Sequence, residues 1–451
     1  MPNDDAAPVA AVRARDVDAA EALLAAGAAP DARDGDGYTL LGIAAVQADT
    51  AMCELLVRSG AHPDLRCPGG RTPVMPAADG GALGAFHALL KGKPDLLLRD
   101  EQGRDAAGLA RAWLGADPAA ELLRRLGAAD GDGAVITRGI APYEDLGPYE
   151  TVRVTTPAGT ASVQTGHAAI LTCVEEMLGI RVPYGELADR ALAFAPGHAC
   201  RFTVSHTLCA RMDDETLALA AQDLEGAADP GRRRFAAEVL QLYGMPVLPG
   251  EDGEDGEGGE AADRLEAAAT EVLSRRVTVE EDPGALAGIV HALGLHYAPG
   301  AVPDIVRHAG HPDREVRLGV AGALQGMIEP GDTAALRAIS ALAQDADPEV
   351  RTLATITLSD VQADTPAVRV LLVHAMADAD PDIAVQGARG LGLLGDPRAD
   401  IPLVRSFLGR GEDAIAECHP AYDAIRRMSG ERFAAARAAV EGRDAAAARP
   451  G

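Results

Sequence analysis

Three glycines that recur at a fixed interval constrain this chain more than any other feature of its sequence. Gly37, Gly70 and Gly103 follow one another at a spacing of 33 residues. Segments 37–41 and 70–74 begin with the same Gly-x-Thr phrase, and each unit then runs into a leucine pair and a glycine. A unit of this length cannot bury an apolar face alone and has to stack on its neighbours. The spacing therefore predicts a repeat architecture.

The residues of one unit indicate its local structure. Gly37 allows the positive backbone angle of a tight turn, and Thr39 offers a hydroxyl that can cap the helix beside it. A turn at 47–50 then separates this short helix from a second one, which Gly60 ends in the manner of a helix C-cap. Each unit is thus predicted to contain two short helices and a protruding turn.

These residues resemble the ankyrin repeat, whose consensus opens with Gly-x-Thr-Pro-Leu and closes with Leu-Leu-x-x-Gly-Ala. The match is close over 37–61 and 70–90 and recognisable in the half-unit 20–28. In the fourth unit, 103–106 reads Gly-Arg-Asp-Ala, so the threonine and proline are replaced, although Asp105 can still cap. The resemblance covers about residues 8–128 and implies an ankyrin array over 1–129.

A second phrase recurs later in the chain. Residues spaced i, i+3, i+4, i+7 begin at Arg317, Arg351 and Ala384, with an earlier copy at Arg233 and a weaker one at Leu286. This spacing places them on one helix face, and short helices are predicted to alternate with these phrases. The unit is therefore a helical hairpin that has to stack.

This second region resembles HEAT-like repeats of the short bacterial form, whose units begin Asp-Pro-x-x-Arg or Pro-x-Val-Arg. The clearest matches are 348–351, 380–392 and 396–398. The resemblance extends over about 167–440. It implies HEAT-like repeats at 262–440 and degenerate helical hairpins at 167–246. Between 167 and 228 the hairpins keep the helical period but lack the recurring phrase.

The remaining segments connect or end these arrays. Residues 130–166 alternate apolar and polar residues around Pro157, which indicates a small β-hairpin or an irregular linker. Residues 247–261 are rich in Asp, Glu and Gly and are predicted to be a disordered acidic insertion, since a calcium loop would need a ligand where Gly256 stands. A disordered tail is expected at 441–451. The predicted fold class is an all-α solenoid with two arrays.

Charge and composition exclude several classes of partner. The formal net charge is −27, and acidic residues outnumber basic ones in every part of the chain. A nucleic-acid binder needs a basic surface, and anionic membranes repel an acidic one. The sequence has no signal-peptide pattern and no apolar run long enough to span a membrane, so a cytoplasmic location is expected. The sequence contains only two lysines beside abundant arginine, a composition typical of a GC-rich bacterial genome.

The best candidate metal ligands are His198, Cys200, His206 and Cys209. If they share one helix, the two cysteines lie about 180° apart around it. His206 and Cys209 can share a face, but two ligands make at most an adventitious site. We therefore expect no metal and no cofactor, and the alternative is a metal-dependent enzyme with a site in the 167–228 region.

Catalytic motifs are missing elsewhere in the sequence. Some HEAT-like proteins are iron-dependent hydroxylases that use repeated His-Glu pairs, and this sequence contains no such pair. It also lacks Gly-x-Ser-x-Gly and the Walker phosphate loop. Cys173 and Cys418 have no partner base that the sequence indicates. The chain is therefore predicted not to be an enzyme.

The predicted function is a scaffold that binds a protein partner on the concave surfaces of its repeats. Tyrosine and arginine are favoured anchors at interfaces. The candidate partner-binding residues on the turns and the first helix of the ankyrin units are Asp36, Tyr38, Arg66, Arg71, Met75 and Arg104. The sequence identifies neither the partner nor the oligomeric state.

Overall fold

The computed structural model describes residues 6–128, 133–141, 148–244, 257–409 and 420–447. They form two compact units, of which unit 1 ends at Arg211 and unit 2 begins at Met212. Both units are mainly helical, and unit 1 also contains a small antiparallel sheet. The predicted helical repeat architecture is confirmed, and the sheet modifies the all-α class.

Unit 1 begins with four helix pairs, continues with the sheet and ends with three further helices. Its elements are α1 (Ala6–Ala14), α2 (Val17–Ala25), α3 (Leu40–Val46), α4 (Thr50–Arg58), α5 (Val74–Asp79), α6 (Leu83–Leu90), α7 (Ala106–Arg111), α8 (Pro118–Arg125), β1 (Val135–Ala141), β2 (Tyr149–Thr156), β3 (Gly159–Gln164), α9 (His167–Met177), α10 (Tyr184–Leu192) and α11 (Ala199–Ala210).

Unit 2 consists of stacked helical hairpins in the described residues. Its helices are α12 (Asp214–Gly226), α13 (Pro230–Gln241), α14 (Glu257–Arg276), α15 (Pro283–Leu295), α16 (Val302–Ile305), α17 (Arg314–Ala323), α18 (Thr333–Leu342), α19 (Pro348–Val361), α20 (Pro366–Ala375), α21 (Pro381–Leu393), α22 (Asp400–Leu408), α23 (Tyr422–Arg427) and α24 (Gly430–Ala447).

The ankyrin helices begin where the sequence predicts. Thr39 Oγ1 accepts the backbone N–H of Gly42 at 3.0 Å, which satisfies one of the unpaired donors at the start of α3. Asp105 caps α7 in the same way, with 2.8 Å between its Oδ1 and the nitrogen of Gly108. Gly37 has a φ of +89°, as the predicted turn requires.

An arginine ladder, consisting of Arg33, Arg66 and Arg99, joins successive ankyrin turns. Each Nη1 donates to the carbonyl oxygen four residues further on, at 2.6 Å to Gly37, 2.6 Å to Gly70 and 2.7 Å to Gly103. The first two also donate to the carbonyl of the next ladder arginine, each at 2.9 Å. Because one guanidinium bonds two turns, the ladder fixes both the shape of each turn and the spacing between turns.

The sheet has the strand order β1-β2-β3, and both neighbouring pairs are antiparallel. The predicted hairpin is confirmed as β2 and β3, whereas β1 was not predicted. One face of the sheet packs on α8 through a buried cluster that includes Val152, Val154 and Val163 together with Leu122 and Leu123. The connection between the arrays is therefore a folded part of unit 1.

A pair of close backbone contacts fixes the sheet and α9 to the ankyrin helices. The backbone N–H of Gln164 donates to the carbonyl of Gly80 at 2.8 Å, and that of Gly166 donates to Gly81 at 3.1 Å. Gly81 has a φ of +61°, and a Cβ there would lie 2.0 Å from the carbonyl oxygen of Gln164. Glycine at position 81 is therefore required for this contact.

The boundary between the units differs from the predicted one at 166/167. Helix α9 packs against α5, α6 and α7, and its buried residues, such as Ile170 and Leu171, belong to the same core as the ankyrin helices. Residues 167–211 consequently belong to unit 1. They extend the ankyrin core instead of starting the second array.

In unit 2, arginines at the predicted phrase starts join one hairpin to the next. Arg317 donates through Nη1 to the carbonyls of His311 and Pro312, both at 3.0 Å, and pairs with Asp345 at 2.7 Å. The Asp345 carboxylate in turn accepts the N–H of Asp347, which caps α19. Equivalent pairs are Arg233 with Glu280 and Arg351 with Asp378.

The weaker phrase at Leu286 lacks this arginine, and the next loop changes with it. His311 occupies the position of the acid, and its Nδ1 accepts the N–H of Asp313 at 3.1 Å. The histidine ring thus accepts the same backbone hydrogen bond that the acid accepts in the loops at Asp345 and Asp378. Leu286 itself is buried in the hairpin core.

Two segments predicted to be disordered are partly helical. Helix α14 starts at Glu257, inside the predicted acidic insertion 247–261, while residues 247–256 lie outside the described residues. Helix α24 continues to Ala447, because the alanine-rich end of the chain has high helix propensity. Residues 448–451 of the predicted tail lie outside the described part.

Replacement of Arg66 by methionine should destabilise unit 1 by about 1 to 2 kcal/mol, because two carbonyls lose a charged donor and the site is partly screened by solvent. The measurement is urea unfolding of the full chain followed by the fluorescence of Trp113, the single tryptophan, which lies in unit 1. Arg58→Met is the matched control, since its side chain is 71% exposed. Equal unfolding midpoints for the two variants would contradict a structural role for the ladder.

Candidate functional site

The turn face of unit 1, made of residues 33–38, 66–71 and 99–104, contains most of the residues that are predicted to bind a partner. Asp36 is the most open of the predicted residues, with a side chain that is 79% exposed. Arg66 is exposed as well, although its Nη1 is used by the ladder. Arg104 is 40% exposed and donates two hydrogen bonds to Asp100, from Nε at 3.0 Å and Nη2 at 2.8 Å.

The other three predicted residues are turned toward the protein. Tyr38 is half-buried against the ankyrin core. Arg71 is 26% exposed and pairs with Asp79 at 3.0 Å. Met75 is only 1% exposed. It lies on the apolar side of α5, where the helix meets its neighbours, and is therefore a core residue instead of a surface contact.

Arg33 and Arg99 were not among the predicted residues, although they shape the turn face together with Arg66. Their spacing of 33 residues is the same as that of the glycines, and this signal was available in the sequence. The outer turns are also held by acids: Asp34 Oδ1 accepts the N–H of Tyr38 at 2.8 Å, and Asp100 acts likewise on Arg104. The turn backbone is therefore fixed before any partner binds.

A cleft of about 720 Å³ lies elsewhere in unit 1, where the last ankyrin pair meets the sheet, α9 and α10. Its volume is in the range of pockets that hold a small molecule or a side chain of a partner. Trp113 and Leu114 from the loop after α7 and Phe194 after α10 form apolar walls. No sequence pattern indicated this cleft, because its walls come from segments far apart in the chain.

Charged groups surround the cleft in pairs. Arg190 is buried, and it donates to Glu175 at 2.7 Å and to Thr172 at 2.8 Å. Its other Nη is 3.3 Å from Glu186, which is 62% exposed. Arg138 of β1 pairs with Glu150 at 3.2 Å. The buried arginine is therefore compensated, while the acids at the opening face solvent.

An Asp79 cluster lies behind the cleft and orients Trp113. The Asp79 carboxylate accepts hydrogen bonds from Trp113 Nε1 at 3.2 Å and from Arg125 at 3.0 Å. The tryptophan ring is stacked on His167 at 4.7 Å between centroids, and the guanidinium of Arg125 lies over the same ring at 4.4 Å. Burial favours a higher pKa for Asp79, but the hydrogen bonds and charge of Arg125 outweigh it and keep the pKa below its usual value.

The four candidate metal ligands do not share a site. His198 caps its own helix, with its Nδ1 accepting the N–H of Cys200 at 3.1 Å, and the Cys200 thiol contacts the carbonyl oxygen of Thr165 at 3.4 Å. Burial raises the pKa of Cys200 to about 12 and that of Cys209 to about 11. His206 is exposed. Across the described ranges, no group of three or more His, Cys, Asp or Glu side chains is arranged to hold a metal ion.

One thiol has a partner base that the sequence did not indicate. Cys173 Sγ lies 3.6 Å from His87 Nε2, across the contact between α9 and α6. Burial raises the pKa of the Cys173 thiol to about 12, so the thiol is not activated as a nucleophile. Cys418 lies outside the described residues.

The paired short helices and stacked hairpins define a helical repeat protein of two kinds of unit. The chain carries ankyrin repeats, matched by a family model for three copies over 9–100, and HEAT repeats, matched over 269–359. Both kinds of repeat are typical of protein-binding scaffolds. In the described part of the chain, no helix combines the length and apolar character needed to cross a membrane.

Similarity to a curated protein is confined to a short stretch. Over 83 residues the chain is 41% identical to the inactive serine/threonine-protein kinase TEX14 of Bos taurus. That stretch covers 18% of this chain and 6% of the relative, so the chain spans only a small part of the relative's length.

Several solved structures are also similar. The Escherichia coli protein YibA has a TM-score of 0.37 and 16% identity, covering 56% of this chain and 97% of that one. An engineered protein has a TM-score of 0.36 and 14% identity over 95% of this chain and 100% of its own. Kap95p, from a study of its binding to RanGDP, has a TM-score of 0.36 and 13% identity over 95% of this chain and 55% of its own.

The stability of unit 1 should depend on the protonation of His167. Burial lowers the pKa of this histidine from 6.5 to about 4, so the unfolded chain binds the proton more tightly than the folded chain does. The neutral ring therefore contributes stability that is complete above pH 6.5 and is lost as the pH falls toward 4, by at most about 3 kcal/mol.

We expect a His167→Asn variant to show a flatter dependence of unfolding free energy on pH between these values. Urea unfolding followed by Trp113 fluorescence at a series of pH values measures it. His206→Asn, at an exposed histidine of the same unit, should keep the slope of the unsubstituted chain. Parallel profiles for all three proteins would show that His167 does not carry the effect.

Proposed function

We propose that this chain is a non-catalytic scaffold that binds a protein partner, and that the turn face of unit 1 is its recognition surface. The observation that carries the proposal is the arginine ladder. It holds three successive turns by hydrogen bonds to their carbonyls, so the turns do not have to be ordered when a partner binds. A surface fixed in this way loses less conformational entropy on association.

The groups that remain exposed on this face have mixed charge. Asp36 projects into solvent beside Arg13, whose Nη2 lies 3.7 Å from its carboxylate, and Arg99 is 61% exposed at the other end of the ladder. A partner that fits this face would carry charges of both signs at matching positions. The acidic net charge of the chain disfavours nucleic acid and anionic membranes as partners.

The proposal predicts that reversing the charge of Asp36 weakens partner binding. A tagged full-length chain captures a partner, and the purified partner is then titrated against Asp36→Arg and against Glu21→Arg by calorimetry. Glu21 is a matched control because it is 61% exposed and lies on α2 instead of a turn. We expect a loss of about tenfold in affinity for the first variant alone. Equal affinities for both variants would place recognition elsewhere.

A separate measurement tests the absence of catalysis by a bound metal. Burial disfavours the thiolate forms of Cys200 and Cys209, which metal binding would require. We therefore expect elemental analysis of the purified full-length chain to give zinc and iron well below one equivalent. A stoichiometric metal that is lost in a His206→Ala, Cys209→Ala variant would favour the enzyme with a site in the 167–228 region.

A further inference from the structure

Strand β1 lies at one side of the sheet of unit 1 and exposes an unusual amount of apolar surface. All six residues from 135 to 140 are exposed. Val135 is 59% exposed, Ile136 43% and Ile140 67%. An edge strand of this kind offers unpaired backbone groups and apolar side chains to another chain.

The hydrogen bonds of β2 show which backbone groups of β1 point outward. The N–H of Thr165 donates to the carbonyl of Glu150, and the N–H of Glu150 donates to Thr165 Oγ1, so the backbone groups of Glu150 point toward the β3 side. Since these groups alternate along a strand, residues 151, 153 and 155 bond to β1. Their partners in the register are residues 139, 137 and 135.

The three remaining residues of β1 consequently direct their N–H and C=O groups away from β2. They are Ile136, Arg138 and Ile140, and no described strand pairs with this edge. In the register, Ile136 lies opposite Val154 and Arg138 lies opposite Val152. The side chains of these residues therefore lie on the same face of the sheet. Backbone and side chains at these positions are therefore both accessible.

The same face borders the cleft. Arg138 belongs to β1 and lines the cleft beside Glu150 and Pro118. Side chains at alternate positions of a strand added to β1 would lie on the face that carries Arg138. An added strand can therefore place one side chain toward the apolar walls formed by Trp113 and Leu114.

The open charges around the cleft are mostly negative. Asp117 is 57% exposed, Glu150 47% and Glu186 62%, and the exposed cation of the lining is Arg138 at 50%, which lies 3.6 Å from Asp117 and 3.2 Å from Glu150. Arg190, the other arginine of the lining, is only 5% exposed and pairs with Glu186 and with Glu175, which Arg111 also contacts. Three carboxylates therefore line the cleft against two arginines. The cleft thus favours a ligand that carries positive charge next to an apolar group.

We propose that β1 is a docking edge for an extended peptide segment of a protein partner, which adds a fourth strand to the sheet. One apolar side chain of the segment enters the cleft beside Trp113, and a flanking lysine or arginine meets the acids at its opening. The inference rests on the proposed protein-binding function and adds a second surface, with a stated ligand chemistry, to it.

A second copy of this chain is a less suitable occupant. A symmetric antiparallel pairing of two β1 strands centred on Arg138 places the two arginines opposite one another, and like charges in that position are destabilising. Each copy also carries a formal net charge of −27. The repulsion between the two arginines and the repulsion between two acidic chains both oppose self-pairing at this edge. A basic peptide with no arginine opposite Arg138 avoids both.

The test titrates the full-length chain with a synthetic peptide that alternates valine and threonine and carries a central phenylalanine flanked by two lysines. Binding is followed by calorimetry and by the fluorescence of Trp113, which lines the cleft. Two matched peptides are used beside it. One replaces the lysines by glutamates, and the other is N-methylated at alternate backbone nitrogens and cannot pair as a strand.

Two variants of the chain separate the backbone from the side chain. Ile136→Pro removes an outward N–H and leaves the bonds between β1 and β2, as edge strands tolerate. Ile136→Ala removes the side chain and keeps that N–H. We expect the proline variant to bind the lysine peptide at least about tenfold more weakly, and the alanine variant to lose less than about threefold. The unfolding midpoint from Trp113 checks that both are folded.

Binding of the lysine peptide with a change in Trp113 fluorescence, weaker binding of both matched peptides, and loss in Ile136→Pro support the proposal. Should the proline variant fail to fold, the N-methylated peptide supplies the same comparison on the unsubstituted chain. Equal binding of the N-methylated peptide, no binding of any peptide, or a dimer that Ile136→Pro dissociates would each overturn it. A captured partner that Asp36→Arg loses and Ile136→Pro retains would overturn the docking edge alone and leave the proposed function standing.

Discussion

The Asp79 carboxylate is the interaction on which unit 1 depends most. It sits at the end of α5 and receives hydrogen bonds from Arg71, Arg125 and the indole of Trp113, while its own backbone carbonyl lies 3.2 Å from His167 Nε2. Four segments of the chain thus meet at one residue. The side chain of this acid is only 13% exposed and depends on its cations, so the last ankyrin pair, α9 and the wall of the cleft are fixed together.

Repetition explains how much of this fold the sequence could predict. The glycine spacing predicted the ankyrin turns because each turn needs a positive φ at the same position, as Gly37 shows. The helix starts followed from local capping by Thr39 and Asp105, which depends on residues three positions apart. Such signals lie within one unit and recur, so they can be read without knowing what packs against the unit.

The parts that sequence reasoning missed depend on contacts between distant segments. Strand β1 exists because β2 pairs with it, and the cleft exists because the loop at Trp113 meets α10, more than 70 residues further on. Arg71 was assigned to the surface as a turn residue and Met75 as a residue of the first helix, yet Met75 faces the core and Arg71 pairs with Asp79. In unit 2, by contrast, the replacement of an arginine by Leu286 is matched by His311 in the next loop, a compensation visible only once both are placed.

The two proposed binding surfaces of unit 1 would recognise a partner by different means. On the turn face the ladder already occupies the carbonyls, so only side chains such as Asp36 and Arg99 can distinguish one partner from another. On β1 the free groups are backbone, which pair with any extended segment and carry no sequence information. Selectivity at that edge must then arise where the added strand meets the cleft, from the fit of one apolar side chain beside Trp113 and from the charge next to Glu186. A change in those cleft residues should therefore alter which peptides bind, whereas a change in the strand backbone should weaken all of them alike.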